Sequence, residues 1–310
     1  MSERVRLILD VDTGTDDALA LGYAVASPKI DLVAVTTVAG NVDVEKATAN
    51  TLSVLDWLGG GHIPVHRGAS RPLVRAHRDA SNFHHEGGLG GAQLARSTRC
   101  VGADRGPAAI IRLARQYPGM LTLVALGPLT NLAISLNVEP ELPELLKSVV
   151  VMGGAFTVPG NTTAAAEFNI FVDPEAAEQV FSTPFSNLTA VGLDVTERVA
   201  LNRDDWHAVN AADSLPPSAS LLGEVVKFAF SELDRDEFSL HDPLAVAVAT
   251  DPTLVDINEL AIAVDAVDPD RGRTRIVGPG TVRVAASVHA QRALDEFRRT
   301  VGLRPLGKES

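Results

Sequence analysis

An α/β domain with a mostly parallel central sheet, covered by helices on both faces, is the fold class this sequence predicts. Three observations carry that expectation. Unbroken apolar runs of strand length recur along the chain, amphipathic stretches of helical length separate them, and hydrophobic residues make up 45% of 310. Strands buried on both faces read as continuous apolar runs, and intervening helices supply the crossovers a parallel sheet needs. No linker, internal repeat or low-complexity tract divides the chain, so one domain over residues 1–310 is expected.

The elements follow in order. "VRLILD" (Val5 to Asp10) reads as a buried strand and "DDALALGYAVA" (Asp16 to Ala26) as a helix. "DLVAVTTV" (Asp31 to Val38) is the next strand and "DVEKATANTLSVLDWLG" (Asp43 to Gly59) the next helix. "GPAAIIRLARQY", "LTLVALG", "PLTNLAISL", "SVVVMGG" and "NLTAVGLD" continue the alternation through Asp194. Asn202 to Thr250 reads as helical, and the tail adds strands "TRIVG" and "TVRVAAS" before a last helix, "HAQRALDEFRRTVG". Two long segments, Ala69 to Gln93 and Gly154 to Asp173, break the pattern, and loops that long inside a compact domain are usually functional.

Composition narrows the partners. A net charge of −12 makes a nucleic acid polymer a poor ligand and leaves small neutral or cationic molecules open. The single cysteine, Cys100, excludes an internal disulfide and any cysteine-built metal site. "MSERVRLILD" goes straight into a strand rather than a signal peptide, and no stretch approaches the roughly 20 apolar residues of a membrane helix. A cytoplasmic protein without membrane contact is expected.

The sharpest local feature is "LILDVDTGTDDALAL", which puts Asp10, Asp12, Asp16 and Asp17 where a strand hands over to a helix. Like charges this close either raise their pKa values or draw in a cation. In an open α/β sheet, ligands bind beyond the carboxyl ends of the strands, where this turn would lie. Gly14 permits the bend, and Asp16 or Asp17 can cap the helix. Carboxylates without cysteine or histidine among them suit a hard cation, calcium or magnesium. The bland reading is a pair of helix caps behind a solvated strand end. An EF-hand loop starting at Asp10 fails because its fifth position is Gly14, and no Walker string occurs. The D-x-D-x-[TV] signature of haloacid-dehalogenase phosphotransferases is weakened by Gly14 in its last place.

"DVDTGTDDALAL" resembles the N-terminal signature D-x-D-x-G-x-D-D-A of the inosine–uridine nucleoside hydrolases. "TTVAGN" (Thr36 to Asn41), "ALGPLTNLA" (Ala125 to Ala133), "VVVMGGA" (Val149 to Ala155), "AEFNIFVDPEAA" (Ala166 to Ala177) and "HDPLAV" (His241 to Val246) resemble that family's blocks in the same order. The resemblance implies a Rossmann-like, calcium-dependent enzyme that hydrolyses the N-glycosidic bond of ribonucleosides. It implies calcium held by Asp12, Asp17, the Asp242 side chain and the Leu126 carbonyl, with Asp10 supporting the loop. It also implies that Asp16 accepts a hydrogen bond from the ribose 2′-hydroxyl and that Asp242 binds substrate as well as metal.

Breaking the ribose–base bond builds positive charge on the sugar, which a ring of carboxylates stabilises. Calcium would position the attacking water and lower its pKa, and Asp12 would take the proton as general base. Asn41, Asn161, Glu167 and Asn169 match the family's sugar-binding positions, and Glu167 and Asn169 share a side if "AEFNIF" is extended. Phe168 packs against the sugar or base, or belongs to the core; Met152 lines the floor or fills the core. His241 is the candidate general acid by resemblance, with a near-neutral pKa suited to the task and Pro243 at the first helical position. "HHEGGL" resembles the family's H-G-x-x-G-L, which implies that His84 (or His85, on a shift of one residue) reaches the 5′-hydroxyl or base; Gly87, Gly88, Gly90 and Gly91 suggest a flap, or a solvated loop without function. Phe230 and Phe238 are candidates for stacking on the base or for helix packing, and the scarcity of tyrosine and tryptophan points to broad or pyrimidine-tolerant specificity. The family's homodimers or homotetramers are implied too. Two other functions compete: a magnesium-dependent phosphatase with Asp10 as nucleophile, and a non-catalytic nucleoside- or ribose-binding protein.

Overall fold

A computed structural model of the chain describes residues 4–77 and 87–303. The first apolar run forms β1 (Val5–Val11), whose side chains alternate between two cores. Leu7, Leu9 and Val11 join the cluster that holds Leu19, Leu21, Leu221 and Leu244, while Ile8 joins the one that holds Ile110, Leu123 and Val149. A period of two across a sheet covered on both faces makes the whole strand apolar, as its sequence is.

Eight more strands complete the sheet. They are β2 (Ile30–Thr37), β3 (Val65–Arg67), β4 (Leu121–Ala125), β5 (Ser148–Met152), β6 (Leu188–Val191), β9 (Val255–Val264), β10 (Thr274–Pro279) and β11 (Val282–Val288). The nine strands run in the order β10-β9-β11-β6-β5-β4-β1-β2-β3. Every pairing from β3 across to β11 is parallel. The β11-β9 and β9-β10 pairings are antiparallel: β9 and β10 are consecutive neighbours, and the chain then crosses β9 to place β11 between β9 and β6. The expected architecture is therefore observed.

Helices α1 (Thr15–Ala26) and α2 (Val44–Trp57) follow β1 and β2 as the alternation predicted. On the second core lie α3 (Gly106–Gln116) and α4 (Thr130–Val138), with the short α5 (Leu142–Leu145) after them. Between β5 and β6 come α6 (Phe168–Val172) and α7 (Pro174–Ser182), and α8 (Leu193–Thr196) follows β6. The stretch expected to be helical throughout is interrupted. It holds α9 (Arg203–Asn210), α10 (Pro217–Ser231) and α11 (His241–Thr250), but β7 (Ala200–Asn202) and β8 (Glu237–Ser239) pair there as a small separate sheet. The last helix, α12 (Ala290–Val301), is tied down by a buried fork in which Arg298 donates to both oxygens of Asp205 at 2.7 and 2.8 Å. Among the described residues, no helix is long and apolar enough to cross a membrane.

β1 lies inside the sheet between β2 and β4, so its carboxyl end opens between two neighbouring strand ends. The aspartate turn begins there.

Candidate active site

Asp10, the last but one residue of β1, is wholly buried. Its Oδ1 accepts from Thr36 Oγ1 on β2 at 2.5 Å and from Asn131 Nδ2 on α4 at 2.7 Å. Asn131 also donates to the Thr37 carbonyl, and its Oδ1 accepts from the Ala69 amide. Asp10 thus fastens two strands and a helix beneath the turn. Its backbone carbonyl accepts from the Leu126 amide at 2.8 Å, which fixes the end of β4 beside it.

Gly14 is the N-cap of α1, and Asp17, three residues on, reaches back to accept from the Gly14 amide at 2.9 Å and the Asp12 amide at 3.1 Å. Carboxylates in a first helical turn are favoured by the exposed amides and the helix dipole. Asp12 accepts from the Asn41 amide at 2.6 Å through Oδ2. Asp16 accepts from the Asp242 amide at 2.7 Å, which joins the N-termini of α1 and α11 across 226 positions of sequence. Asn41 Nδ2 completes the ring by donating to Asp17.

Above this floor is a cavity of about 300 Å³, in the size range of small-molecule sites. Asp16, Asn41, Leu126, Met152, Asn161, Glu167, Phe168, Asn169, His241 and Asp242 line it, so ten of the sequence-predicted residues meet in one place. Asp12 and Asp17 are fully buried just behind the wall. The segment holding Glu167 and Asn169 is not extended: it forms α6, and Glu167 is its N-cap, accepting from Asn169 N and Ile170 N and from the Gly154 amide. The cap nevertheless keeps both polar groups on the cavity side. Asn169 Nδ2 donates to the Leu126 carbonyl at 2.7 Å and the Met152 carbonyl at 3.2 Å, and Asn161 Oδ1 accepts from the Phe168 amide. Pro243 is the third residue of α11, not the first, and Asp242 lies inside the helix rather than capping it.

The carboxyls all titrate high. Burial raises Asp10 to about 7. Burial first, and repulsion from neighbouring carboxylates with it, raises Asp12, Asp16 and Asp242, while burial raises Asp17 and Glu167. The donor set fits a hard cation on three counts. Asp12 Oδ1 and Asp16 Oδ1 are buried without a hydrogen-bond partner. Gly40 and Gly127 press on the Asp12 carboxyl so closely that an added Cβ would stand 2.0 and 3.0 Å from its oxygens. Every nearby donor is oxygen, and a cation would relieve the repulsion. Among the described residues, no three His, Cys, Asp or Glu side chains already stand as a finished ligand cluster, with Asp17 engaged by amides and Asn41.

The near-neutral pKa expected for His241 is not what its surroundings give. Burial, with the positive charge of Arg235 adding to it, lowers it to about 4. Its Nδ1 is 2.8 Å from Thr196 Oγ1 at the end of α8.

His84 and His85 lie outside the described residues. Of the glycine-rich stretch, Leu89 is in the core and the Gly87 carbonyl is held by Asn50 Nδ2 at 2.9 Å, so residues 87–89 are anchored rather than a free flap. Phe230 is 1% exposed and stacked on Trp206 at 5.8 Å, which removes it from base recognition; Phe238 lines the cavity. Sequence reasoning missed Asn131, although it stands in the quoted "ALGPLTNLA" block, and missed the wall residues Thr162, Glu197, Arg235, Glu237 and Ser239, which carry no motif.

Residues 7–295 match the family model described as inosine-uridine preferring nucleoside hydrolase. The chain is 38% identical over 265 residues to the pyrimidine-specific ribonucleoside hydrolase RihA of Citrobacter koseri, covering 84% of this chain and 83% of that protein. It is 36% identical to the inosine-uridine preferring nucleoside hydrolase of Leishmania major, with the same coverage. The purine-preferring ribonucleoside hydrolase from Gardnerella vaginalis superposes with a TM-score of 0.87 at 34% identity, over 96% of this chain and 98% of that one.

Proposed function

The chain belongs to the inosine–uridine preferring nucleoside hydrolase family and is a nucleoside N-glycosidase; from that premise we propose that residues 1–310 form one catalytic domain that hydrolyses ribonucleosides to ribose and free base with the aid of calcium. The observation that carries the reading is the pair of unpartnered buried oxygens, Asp12 Oδ1 and Asp16 Oδ1, on carboxyls packed against a nucleoside-sized cavity.

Asp12, Asp17, Asp242 and the Leu126 carbonyl would hold the calcium ion, which when bound would offset their mutual repulsion and make an adjacent water more acidic. Asp12 takes the proton of the attacking water on Oδ1 while the Asn41 amide fixes Oδ2. Asp16 Oδ1 and Asp242 accept from ribose hydroxyls, and Asn41, Asn161, Glu167 and Asn169 complete the grip on the sugar, with Met152 and Phe168 as apolar floor. A site built to pair each hydroxyl rejects sugars that lack one. The carboxylates stabilise the positive charge that grows on the ribose ring as the base departs. His241 faces the cavity as the donor to the departing base: with Nδ1 accepting from the Thr196 hydroxyl, Nε2 carries the proton. His84 is proposed to approach from the loop beyond Gly87.

The relatives' names span pyrimidine-specific and inosine–uridine preferences, and we place this enzyme among broad or pyrimidine-tolerant members. The exposed thiol of Cys100 fits the reducing cytoplasm, and exposed Ile276 and Val277 on the edge strand β10 support association of copies as a homodimer or homotetramer.

The test is release of reducing sugar from a nucleoside panel, before and after chelation and again after calcium is restored. Chelation should stop turnover and calcium should recover it. Asp12→Asn should lower kcat by about 10²–10⁴ without unfolding the protein; wild-type kcat in that variant contradicts the mechanism. Ribose binding without turnover by the calcium-loaded protein would favour the non-catalytic reading.

A further inference from the structure

A second cavity, of about 240 Å³, lies at the opposite end of the strands from the aspartate turn. It is built where the parallel strands begin. Val5 opens β1, Thr122 is the second residue of β4, Ser148 opens β5 and Asn187 directly precedes β6. The last turn of α11, from Val248 to Thr250, borders it. The first turn of that helix carries His241 and Asp242 into the other cavity. A ten-residue helix is about 15 Å long, so the two cavities are separate.

Its charge is the reverse of the first. Lys147 and Arg283 line it, and among the described residues no aspartate or glutamate does, in a chain with 39 acidic and 27 basic residues. Neither cation is paired with a carboxylate among the described residues. Glu259 stands opposite Arg283 in the β11-β9 register without forming an ion pair; Arg283 donates instead to Asn187 Oδ1 at 2.8 Å, and a guanidinium has five N–H groups to give. Four hydroxyls line the same space, on Thr122, Ser148, Thr189 and Thr250. Thr250 spends its own on the Ala247 carbonyl. Thr122 Oγ1 and Ser148 Oγ are 2.8 Å apart, so one donates to the other and the acceptor keeps its hydrogen for a ligand. Thr189, opposite Arg283 on β6, is only 6% exposed, and its hydroxyl has no partner among the described residues. A hydroxyl this deep is ordinarily satisfied.

We propose that this cavity binds a phosphoryl group, as inorganic phosphate or a small phosphate monoester. Such a group carries nearly two negative charges and several strong acceptor oxygens, enough to engage both cations and the hydroxyls at once. A carboxylate, with one charge and two oxygens, leaves part of the wall unanswered. Lys147 supplies a point charge, and Arg283 a planar fork suited to two phosphoryl oxygens. The volume is below the roughly 300 Å³ at which sites for drug-sized molecules begin, which keeps the ligand small. Val5, Val150, Val248, Pro252 and Ile257 leave an apolar wall for the body of an ester.

Calorimetric titration of the full chain with inorganic phosphate, glycerol 3-phosphate and acetate, at constant ionic strength, tests the site. One or both phosphate compounds should bind, the tighter one identifying the form taken, and acetate should bind about 10-fold more weakly than that one. Lys147 is exposed and Arg283 half-buried, so Lys147→Gln and Arg283→Gln should fold. Each should weaken binding of the phosphate compound about 10-fold, and Thr189→Val about 5-fold. Absence of binding at millimolar concentration in the wild type overturns the proposal. Undiminished affinity in Lys147→Gln or Arg283→Gln overturns it too, by placing the ion elsewhere, and acetate binding as tightly as phosphate overturns the phosphoryl assignment. Nucleoside turnover plays no part in these titrations, so their outcome is independent of the hydrolase reading.

Discussion

Gly40→Ala tests how tightly the Asp12 carboxyl is held. A Cβ on Gly40 would stand 2.0 Å from Asp12 Oδ2 and 2.7 Å from Pro128 Cδ, whereas ordinary contact begins at 3.4 Å. The carboxyl must then retreat by 3.4 − 2.0 = 1.4 Å, or the Gly40 backbone must move by a similar amount. Either shift stretches the 2.6 Å bond from the Asn41 amide. Overpacking a tight site costs about 1–3 kcal/mol, and a hydrogen bond to a charged group is worth about 1.5–3 kcal/mol. A total near 3 kcal/mol corresponds to a fall in Tm of about 4–6 °C for a domain of this size. Displacing a reacting group by about 1 Å costs on the order of 100-fold in rate. Thermal unfolding and ribose release from uridine with calcium present measure both. Gly61→Ala is the control, because its nearest neighbour stands at 3.5 Å. If Gly40→Ala keeps the Tm and kcat of Gly61→Ala, the close approach to Asp12 is not what fixes the site.

Asp10 predicts a pH dependence in chelator. Its pKa is raised from 3.8 to about 7, burial being the main cause. The folded chain therefore keeps that proton where the unfolded chain has lost it, and stability falls as pH rises from about 4 to about 7, then levels off. At about 1.4 kcal/mol per pKa unit, charging Asp10 costs about 4 kcal/mol, so the Tm difference between Asp10→Asn and wild type should grow in the variant's favour across that window; a flat difference places the charge elsewhere. Phe230 and Phe238 should separate cleanly. Phe230→Ala should lose about 3–5 kcal/mol of stability, seen as a lower denaturant midpoint, whereas Phe238→Ala should raise KM for nucleosides with little change in that midpoint.

The residues that could be read in advance are those whose role is local. The run from Val5 to Val11 is apolar throughout because both its faces are covered, and the aspartates after it are close in sequence as well as in space. Asp16 and Asp242 needed a motif to be associated, since nothing local links positions 226 apart. Residues 166–171 were ambiguous because a five-residue helix is decided by its cap, and here Glu167 supplies the cap itself. The pKa of His241 depends on burial and on Arg235, neither of which its own segment states. Phe230 and Phe238 look alike in sequence; Trp206, packing from another helix, is what takes Phe230 inside. Arg235 was passed over because an arginine between two aspartates carries no motif that places it on a cavity wall.

The amide of Asp242 seated on Asp16 has a consequence for how the molecule comes into being. During synthesis the amino-terminal acids emerge long before the segment that completes their surroundings. Until α11 arrives, a nascent chain carries a set of mutually repelling groups with nowhere to put them, and water must shelter them. The pocket is therefore among the last parts of the protein to mature, and a fragment ending before His241 should be unable to retain an ion that the finished chain holds.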